Sequence, residues 1–370
     1  MKPIRVLQVF ASLDRGGAES LIMNIYRKID RSIVQFDFVV NENAGEYAYE
    51  KEIGELGGRI VKIPKFNIRN YLLYRNTWIT VLSEHPEWII VHAHHTTSAF
   101  IYLDIAKSMK RVTIAHSHTS GRDKSLKSLV KMLMRYPLRN VSDYLFACSK
   151  SSAEWMFGRH SNFELIHNGI DIMKYTFNDN IRKDIRFAFG IDHKFVIGHV
   201  GRFSKEKNHA FIITIFKKIH DLYPNTILLL VGDGKLREVF EKQTKDLNLT
   251  NSVIFTGVRS DVNYLLQAMD VFLFPSLYEG LPVVLVEAQA ASLRCFISDT
   301  ITRDVNISDL VEFIPLKKPA TMWAKRILNN SKVYERRDMI DKIRNGGYDI
   351  ADNAKLLQSF YIKYAEENNT

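Results

Sequence analysis

Short apolar runs separated by turn residues recur along the first 170 or so positions. Residues 4–10, 36–40, 59–63, 88–92, 112–115, 144–148 and 163–167 each have the length and near-continuous hydrophobicity of a strand buried on both faces. Helix-like stretches lie between several of them. After the first run, Leu21, Ile22, Ile25 and Ile29 mark one helical face. This alternation predicts a parallel sheet covered on both sides, joined by right-handed crossovers. The second half repeats the style, with strands over 195–200, 226–231, 252–256, 270–274 and 295–298 and a helix over 210–219 preceded by His209. In the tail, Ile350, Ala354, Leu357, Phe360, Tyr361 and Tyr364 fall on one side of a terminal amphipathic helix. With 370 residues, the chain is long enough for two α/β domains. The Asn168-Gly169 turn stands where the first should end. No internal repeat or low-complexity segment interrupts the pattern.

The densest chemistry lies in DVFLFPSLYEGLPVVLVEAQAA, residues 270–291. Pro275 stops an apolar strand, a loop runs over 276–280, and Leu281, Pro282 and the run to Ala291 read as a helix with Pro282 near its first turn. Free N–H groups and the helix dipole make such a junction an anion site. Glu279 and Glu287 beside it are suited to accepting hydrogen bonds from sugar or ribose hydroxyls. Gly201 to Asn208 also follows a strand. Its cations Arg202 and Lys207 have the spacing to wrap a diphosphate, with Lys205 competing for the lysine role. Gly232-Asp233-Gly234 and the loop from Gly257 through Arg259 to Asp261 end two further strands. Their backbone could read a base edge, and the Arg259 stem could stack on it. Gly16 and Gly17, between the first strand and first helix, allow close approach of a ligand or a turn with positive φ. The absence of GxGxxG there counts against a nicotinamide dehydrogenase.

The Glu-x7-Glu pair inside FPSLYEGLPVVLVEA resembles the signature of the retaining glycosyltransferases of family 4, which have the GT-B fold. The GGAE at 16–19 and the Asn-Gly-Ile-Asp at 168–171 are similar to further stretches of that family. The resemblance covers nearly the whole chain. It implies two Rossmann-like domains facing across a cleft: 1–170 on the acceptor side and 171–349 binding the nucleotide-sugar, with a C-terminal helix at about 350–370 crossing back to the first domain. It also implies roles. Glu279 lies beside the donor sugar, Glu287 holds the ribose, and Arg202 and Lys207 bind the diphosphate. Gly16 and Gly17 line the phosphate side, and Gly232, Arg259, Gly280, Leu281 and Val283 complete the donor site. In AHSHTS at 115–120, His118 matches the histidine that approaches the donor sugar, with His116 as runner-up. The donor would be a nucleoside-diphosphate sugar, UDP-linked by preference. The acceptor would be a glycan or polyprenyl-linked hydroxyl in cell-surface polysaccharide biosynthesis, attacked on the front face with retention.

Composition narrows this picture without redirecting it. Hydrophobic residues make up 46% and charged residues 25%, as in an ordinary soluble domain protein. The net charge of +10 admits nucleic acid, an anionic membrane or anionic substrates. No zinc spacing, RNA-binding signature or basic tail favours nucleic acid. Cys148 and Cys295 read as buried thiols of a cytoplasmic protein. The N-terminal apolar run is too short for a signal peptide, and no run reaches the roughly 18 residues of a membrane span. Between Lys107 and Arg139 there are nine Lys/Arg and one acid. Lys124, Lys127, Lys131 and Arg135 fall on one face of a helix whose other face is aliphatic, so residues 124–135 are expected to touch an anionic membrane surface. Of the histidines, His92, His94 and His95 sit at one strand end and His116 and His118 at the next. Neither a metal nor a cofactor is expected, because the two groups belong to separate strands. The alternatives are a sugar-nucleotide epimerase of similar fold and a non-catalytic nucleotide-sugar-binding subunit. Donor turnover without acceptor would mark the first, and binding without turnover the second.

Overall fold

The structure, a computed structural model, describes residues 2–14, 16–43, 45–94, 97–118, 137–331 and 334–367. The basic stretch 124–135 therefore lies outside the described residues. The chain divides into two compact units, Met1–Gly169 together with Asp349–Thr370, and Ile170–Tyr348.

The first unit contains β1 (Ile4–Val9), β2 (Val34–Asn41), β3 (Ile60–Ile63), β4 (Trp88–Ala93), β5 (Val112–Ser117), β6 (Tyr144–Ala147) and β7 (Glu164–Leu165). They pair in the order β3-β2-β1-β4-β5-β6-β7, every pair parallel. Because side chains alternate across a strand, each strand feeds two cores. Val6, Phe36, Phe38, Ile90 and Ile114 pack on one side, with Leu21 and Ile25 of the helix Gly17–Lys28 and with Ala354, Leu357 and Tyr361 of the helix Ile350–Glu367. Leu7, Val39, Val91 and Ala115 pack on the other, under Trp78, Leu82, Tyr102 and Ala106. The last run, 163–167, shrinks to the two exposed residues of β7.

Gly169 is a glycine for a reason the turn motif does not show. Its φ is not positive; instead, a Cβ there would sit 2.6 Å from Asn353 Nδ2 and 3.0 Å from the Ile350 nitrogen. The start of the terminal helix packs directly on it, and Asn353 Nδ2 donates to the His167 carbonyl at 2.8 Å.

The second unit contains β8 (Phe195–Val200), β9 (Thr226–Val231), β10 (Val253–Phe255), β11 (Val271–Phe274), β12 (Arg294–Ser298) and β13 (Val311–Ile314), again all parallel, in the order β10-β9-β8-β11-β12-β13. β13 has no counterpart among the sequence expectations, since it is short and carries Glu312 in its middle. The helix expected around Pro282 begins at Val283 and ends at Ala290. Pro282 is its N-cap with φ −76° and ψ 107°, an extended residue outside the first turn. The two cysteines are free and buried, one in each unit. No described helix is long and apolar enough to cross a membrane.

One buried ion cluster ties three strands of the first sheet together. Asp37 in β2 is fully buried and accepts from Arg5 Nε at 2.7 Å, Arg59 Nη2 at 2.6 Å and Trp88 Nε1 at 2.6 Å. Burial alone would push this carboxyl up, but the bonds from Arg5, Arg59 and Trp88 outweigh it and hold it well below the usual range. Asp37→Asn is expected to cost about 3 kcal/mol, because it removes the charge that three donors were built around while Arg59 keeps some water. Chemical denaturation measures this. A depressed carboxylate stabilises at pH values above its ordinary range and loses that contribution as pH falls, so the gap between wild type and variant should narrow in acid.

Candidate nucleotide-sugar site

β8 and β11 are neighbours, so the loops that leave their carboxyl ends run side by side. Two hydrogen bonds stitch them together: the Leu277 N–H donates to the Glu206 carbonyl at 2.8 Å and Asn208 Nδ2 to the Pro275 carbonyl at 3.0 Å. The stitching brings Lys207 and Glu279 into contact, with Nζ 2.7 Å from Oε1 and side chains only 17% and 14% exposed. Lys207 Nζ also lies 4.9 Å from the centre of the Phe274 ring. A Cβ on Gly201 would come within 3.3 Å of Lys207 Cδ, so this glycine leaves room for the lysine stem. Lys205, the sequence competitor, is exposed, and so is Arg202 in the same loop.

The rim continues through the loops after β9 and β10. Gly232 has φ +133°, and a Cβ on it would lie 2.2 Å from the Gly201 carbonyl oxygen, a backbone contact that cannot yield. Its N–H donates to the Gly257 carbonyl at 2.9 Å, and Gly257 has φ +72°. Three glycines thus lock three successive strand-end loops. Arg259 is exposed, and its guanidinium forks onto Asp261 at 2.8 and 2.6 Å.

The helix Val283–Ala290 opens beside these loops with no side chain capping its N-terminus and no acid in its first turn. Gly280 is exposed just before it, while Leu281 is half-buried against the core. Glu287 points from this helix toward Tyr175, whose hydroxyl donates to Oε1 at 2.9 Å. Burial pushes the Glu287 carboxyl up to about 7, opposed by the Tyr175 hydrogen bond.

In the first unit, Gly16 is the extended N-cap of the helix Gly17–Lys28, with φ −86°. Neither glycine has the positive φ that the sequence allowed for. A Cβ on Gly17 would meet nothing within 4 Å, so the fold itself does not require glycine there.

The histidines form one cluster. Parallel register pairs Ala93 of β4 with Ala115 of β5, which sets His94 next to His116. This corrects the expectation that the two groups stay apart; His95 lies outside the described residues. Burial holds His92, His94 and His116 well below the ordinary imidazole range and His118 down at about 3, so all four rings are neutral at pH 7. Gln8 Oε1 accepts from His94 Nε2 at 2.7 Å, which leaves His94 Nδ1 as the acceptor for His118 Nε2–H at 2.8 Å. His118 therefore keeps a lone pair on Nδ1, a buried atom with no hydrogen-bond partner among the described residues.

Comparison with known proteins identifies the family. The family model for glycosyl transferases group 1 matches residues 181–343, and that for Glycosyltransferase Family 4 matches residues 15–174. EpsF of Bacillus subtilis (strain 168), which carries a glycosyltransferase name, is 36% identical over 99% of this chain and 98% of its own length. The chain belongs to this glycosyltransferase family. An Escherichia coli UDP-Gal:alpha-D-GlcNAc-diphosphoundecaprenol alpha-1,3-galactosyltransferase is 26% identical over 59% of each chain. Among solved structures, Anabaena Alr3699/HepE in complex with UDP superposes with a TM-score of 0.72 at 19% identity, covering 98% of this chain and 95% of that one. The glycosyltransferase thus has the GT-B fold.

Sequence reasoning missed Tyr175, Gln8 and Tyr361, which hold the named residues from behind; only their contacts in three dimensions reveal them. Tyr175→Phe is expected to move the Glu287 titration midpoint above its present value of about 7, because it removes the one hydrogen bond that favours the charged carboxylate. Carbon NMR of labelled glutamate would read the shift.

Proposed function

We propose that this glycosyltransferase transfers a sugar from a UDP-linked donor to a hydroxyl of a glycan or polyprenyl-linked acceptor during polysaccharide assembly, with retention at the anomeric carbon. The observation that carries the reading is the half-buried Lys207–Glu279 pair beside an uncapped helix N-terminus. A lysine held there is placed for a diphosphate, and a carboxylate touching it is available to a sugar hydroxyl. Family membership supports the transfer activity, and the UDP bound by Alr3699/HepE and the lipid-linked substrate named for the Escherichia coli relative support the two substrates.

In this reading Arg202 and Lys207 neutralise the leaving diphosphate, joined by N–H groups near Gly280 to Val283. Glu279 orients the sugar and Glu287 accepts from the ribose hydroxyls. His118 is assigned the sugar-orienting role that the family resemblance implies, with its Nδ1 lone pair as acceptor. The acceptor hydroxyl attacks on the face from which UDP departs. The first unit takes the acceptor, and contact with an anionic membrane through 124–135 would suit a lipid-linked one.

Lys207→Ala should lower kcat/KM for a UDP-sugar by about 2–4 kcal/mol of transition-state stabilisation, read by steady-state kinetics with subsaturating donor. Near-normal turnover would remove Lys207 from the clamp.

Glu287 predicts a pH effect. Its carboxyl titrates at about 7 in the free protein. Ribose hydroxyls donate to the charged form, so binding must expel the proton. Affinity for a UDP-sugar, whose phosphates do not titrate in this range, should fall roughly tenfold from pH 8 to pH 6. Calorimetry at both pH values checks this, and Glu287→Gln should bind more weakly at pH 8 and lose the pH dependence. Equal pH dependence in both proteins would place the ribose elsewhere.

A further inference from the structure

We propose that His92, His94 and His116 form a binding site for one divalent transition-metal ion of the zinc, cobalt, nickel or copper kind, inside the first unit and separate in kind from the donor-phosphate machinery. One ring nitrogen from each of the three lies within 4.8 Å of those from the other two. Metal–imidazole bonds of about 2.0–2.1 Å in a tetrahedral shell set ligand nitrogens about 3.3 Å apart. Side-chain rotations of about 1 Å close the set.

Three features distinguish this cluster from ordinary core histidines. First, it is incompletely satisfied. All three residues are buried, yet His92 Nε2 and both nitrogens of His116 have no hydrogen-bond partner among the described residues. A buried polar atom left this way costs about 1–3 kcal/mol, and an apolar side chain would avoid that cost. A metal ion supplies a partner for His92 Nε2 and for one nitrogen of His116. Second, the outer hydrogen bonds are compatible with lone pairs facing inward, and at His94 they require it. His92 Nδ1 lies 2.7 Å from the Tyr361 hydroxyl, and His94 Nε2 lies 2.7 Å from Gln8 Oε1. Gln8 Oε1 can only accept, so His94 carries its proton on Nε2 and leaves Nδ1 as a ligand; the Tyr361 hydroxyl can accept from His92 Nδ1, the tautomer that a metal on His92 Nε2 selects, as where a second shell orients metal-bound imidazoles. Gln8 Nε2 also donates to the Tyr361 hydroxyl at 3.3 Å, so the two supports brace each other. Third, the chemistry of the donors selects the ion. Neutral imidazoles suit zinc, cobalt, nickel and copper, whereas magnesium and calcium prefer oxygen.

Loading has a consequence for His118. The lone pair on His94 Nδ1 that now accepts from His118 Nε2 is the one the metal would take. His118 must then either join the metal as a fourth ligand or release its bond to His94.

The test uses the full chain, freed of any histidine tag and treated with chelator. Titration with Co2+ is expected to reach one equivalent and to develop the visible ligand-field bands of a low-symmetry nitrogen site. X-ray absorption on the zinc-loaded chain is expected to show at least three imidazoles. Tyr361→Phe, which keeps the ring packing, should weaken the Co2+ affinity 10- to 100-fold. His116→Phe should abolish stoichiometric binding. Should His116→Phe fail to fold, the imidazole count on the wild-type chain decides alone. Fewer than three imidazoles, less than half an equivalent of bound metal, or a folded His116→Phe that still takes one equivalent would overturn the proposal.

Discussion

A parallel strand pair cannot be closed by a tight turn; it needs a crossover long enough to hold a helix. Both sheets of this protein are parallel throughout, so within each sheet every strand's carboxyl end lies on the same edge. That constraint places the chemistry. In the second unit it gathers the loops after β8, β9, β10 and β11 into one rim, and Gly232 lets the loop after β9 approach Gly201 more closely than any side chain would permit. In the first unit it brings the ends of β4 and β5 together and with them the histidines. Residues 22 positions apart, such as His94 and His116, and 72 apart, such as Lys207 and Glu279, become neighbours because register, not local preference, decides what touches what.

The site residues differ in how they are held, and this sets their electrostatics. Lys207 is clamped by Glu279 and the Phe274 ring, so its charge is in place before any ligand arrives. A charge positioned beforehand costs no reorganisation when the leaving group departs. Arg202, by contrast, is exposed and can swing. Glu287 sits at the opposite extreme, desolvated enough that its proton is lost only near neutrality. The anion site proposed above would thus be lined by a held cation, an exposed cation and a carboxylate that burial keeps partly protonated near neutrality.

Much of this could be read from the sequence, for definite reasons. Buried parallel strands are continuous apolar runs, and twelve of the thirteen were foreseen to within two residues at either end. β7 was drawn too long because the apolar Phe163 and Ile166 extend the run, whereas only Glu164 and Leu165 pair with β6. β13 was missed because a charged residue interrupts it, tolerable at the edge of a sheet. The loops with Lys207, Glu279 and Glu287 stood out because strand–loop–helix junctions carry composition signals. The glycines were noticed, but their causes were not: Gly169 and Gly232 answer to backbone contacts with residues distant in sequence, and Gly16 and Gly17 lack the turn conformation allowed for them. The histidine cluster was misjudged on the same ground, since register between β4 and β5 cannot be seen in spacing.

The terminal helix is more than a cover for the first sheet. Tyr361 is buried among Phe36 and the strands beneath it, and its hydroxyl meets both Gln8 of β1 and His92 of β4. Gln8 in turn orients His94, and His94 holds His118. A neutral imidazole has one proton to give, so fixing the outer end of such a chain fixes the tautomer at its inner end. The line of contacts behind His118 therefore runs through Gln8 to a side chain from the other end of the polypeptide. Displacing the helix Ile350–Glu367 would cost the unit its packing against Leu357 and Tyr361 and would also free the imidazole chain to adopt its other tautomers.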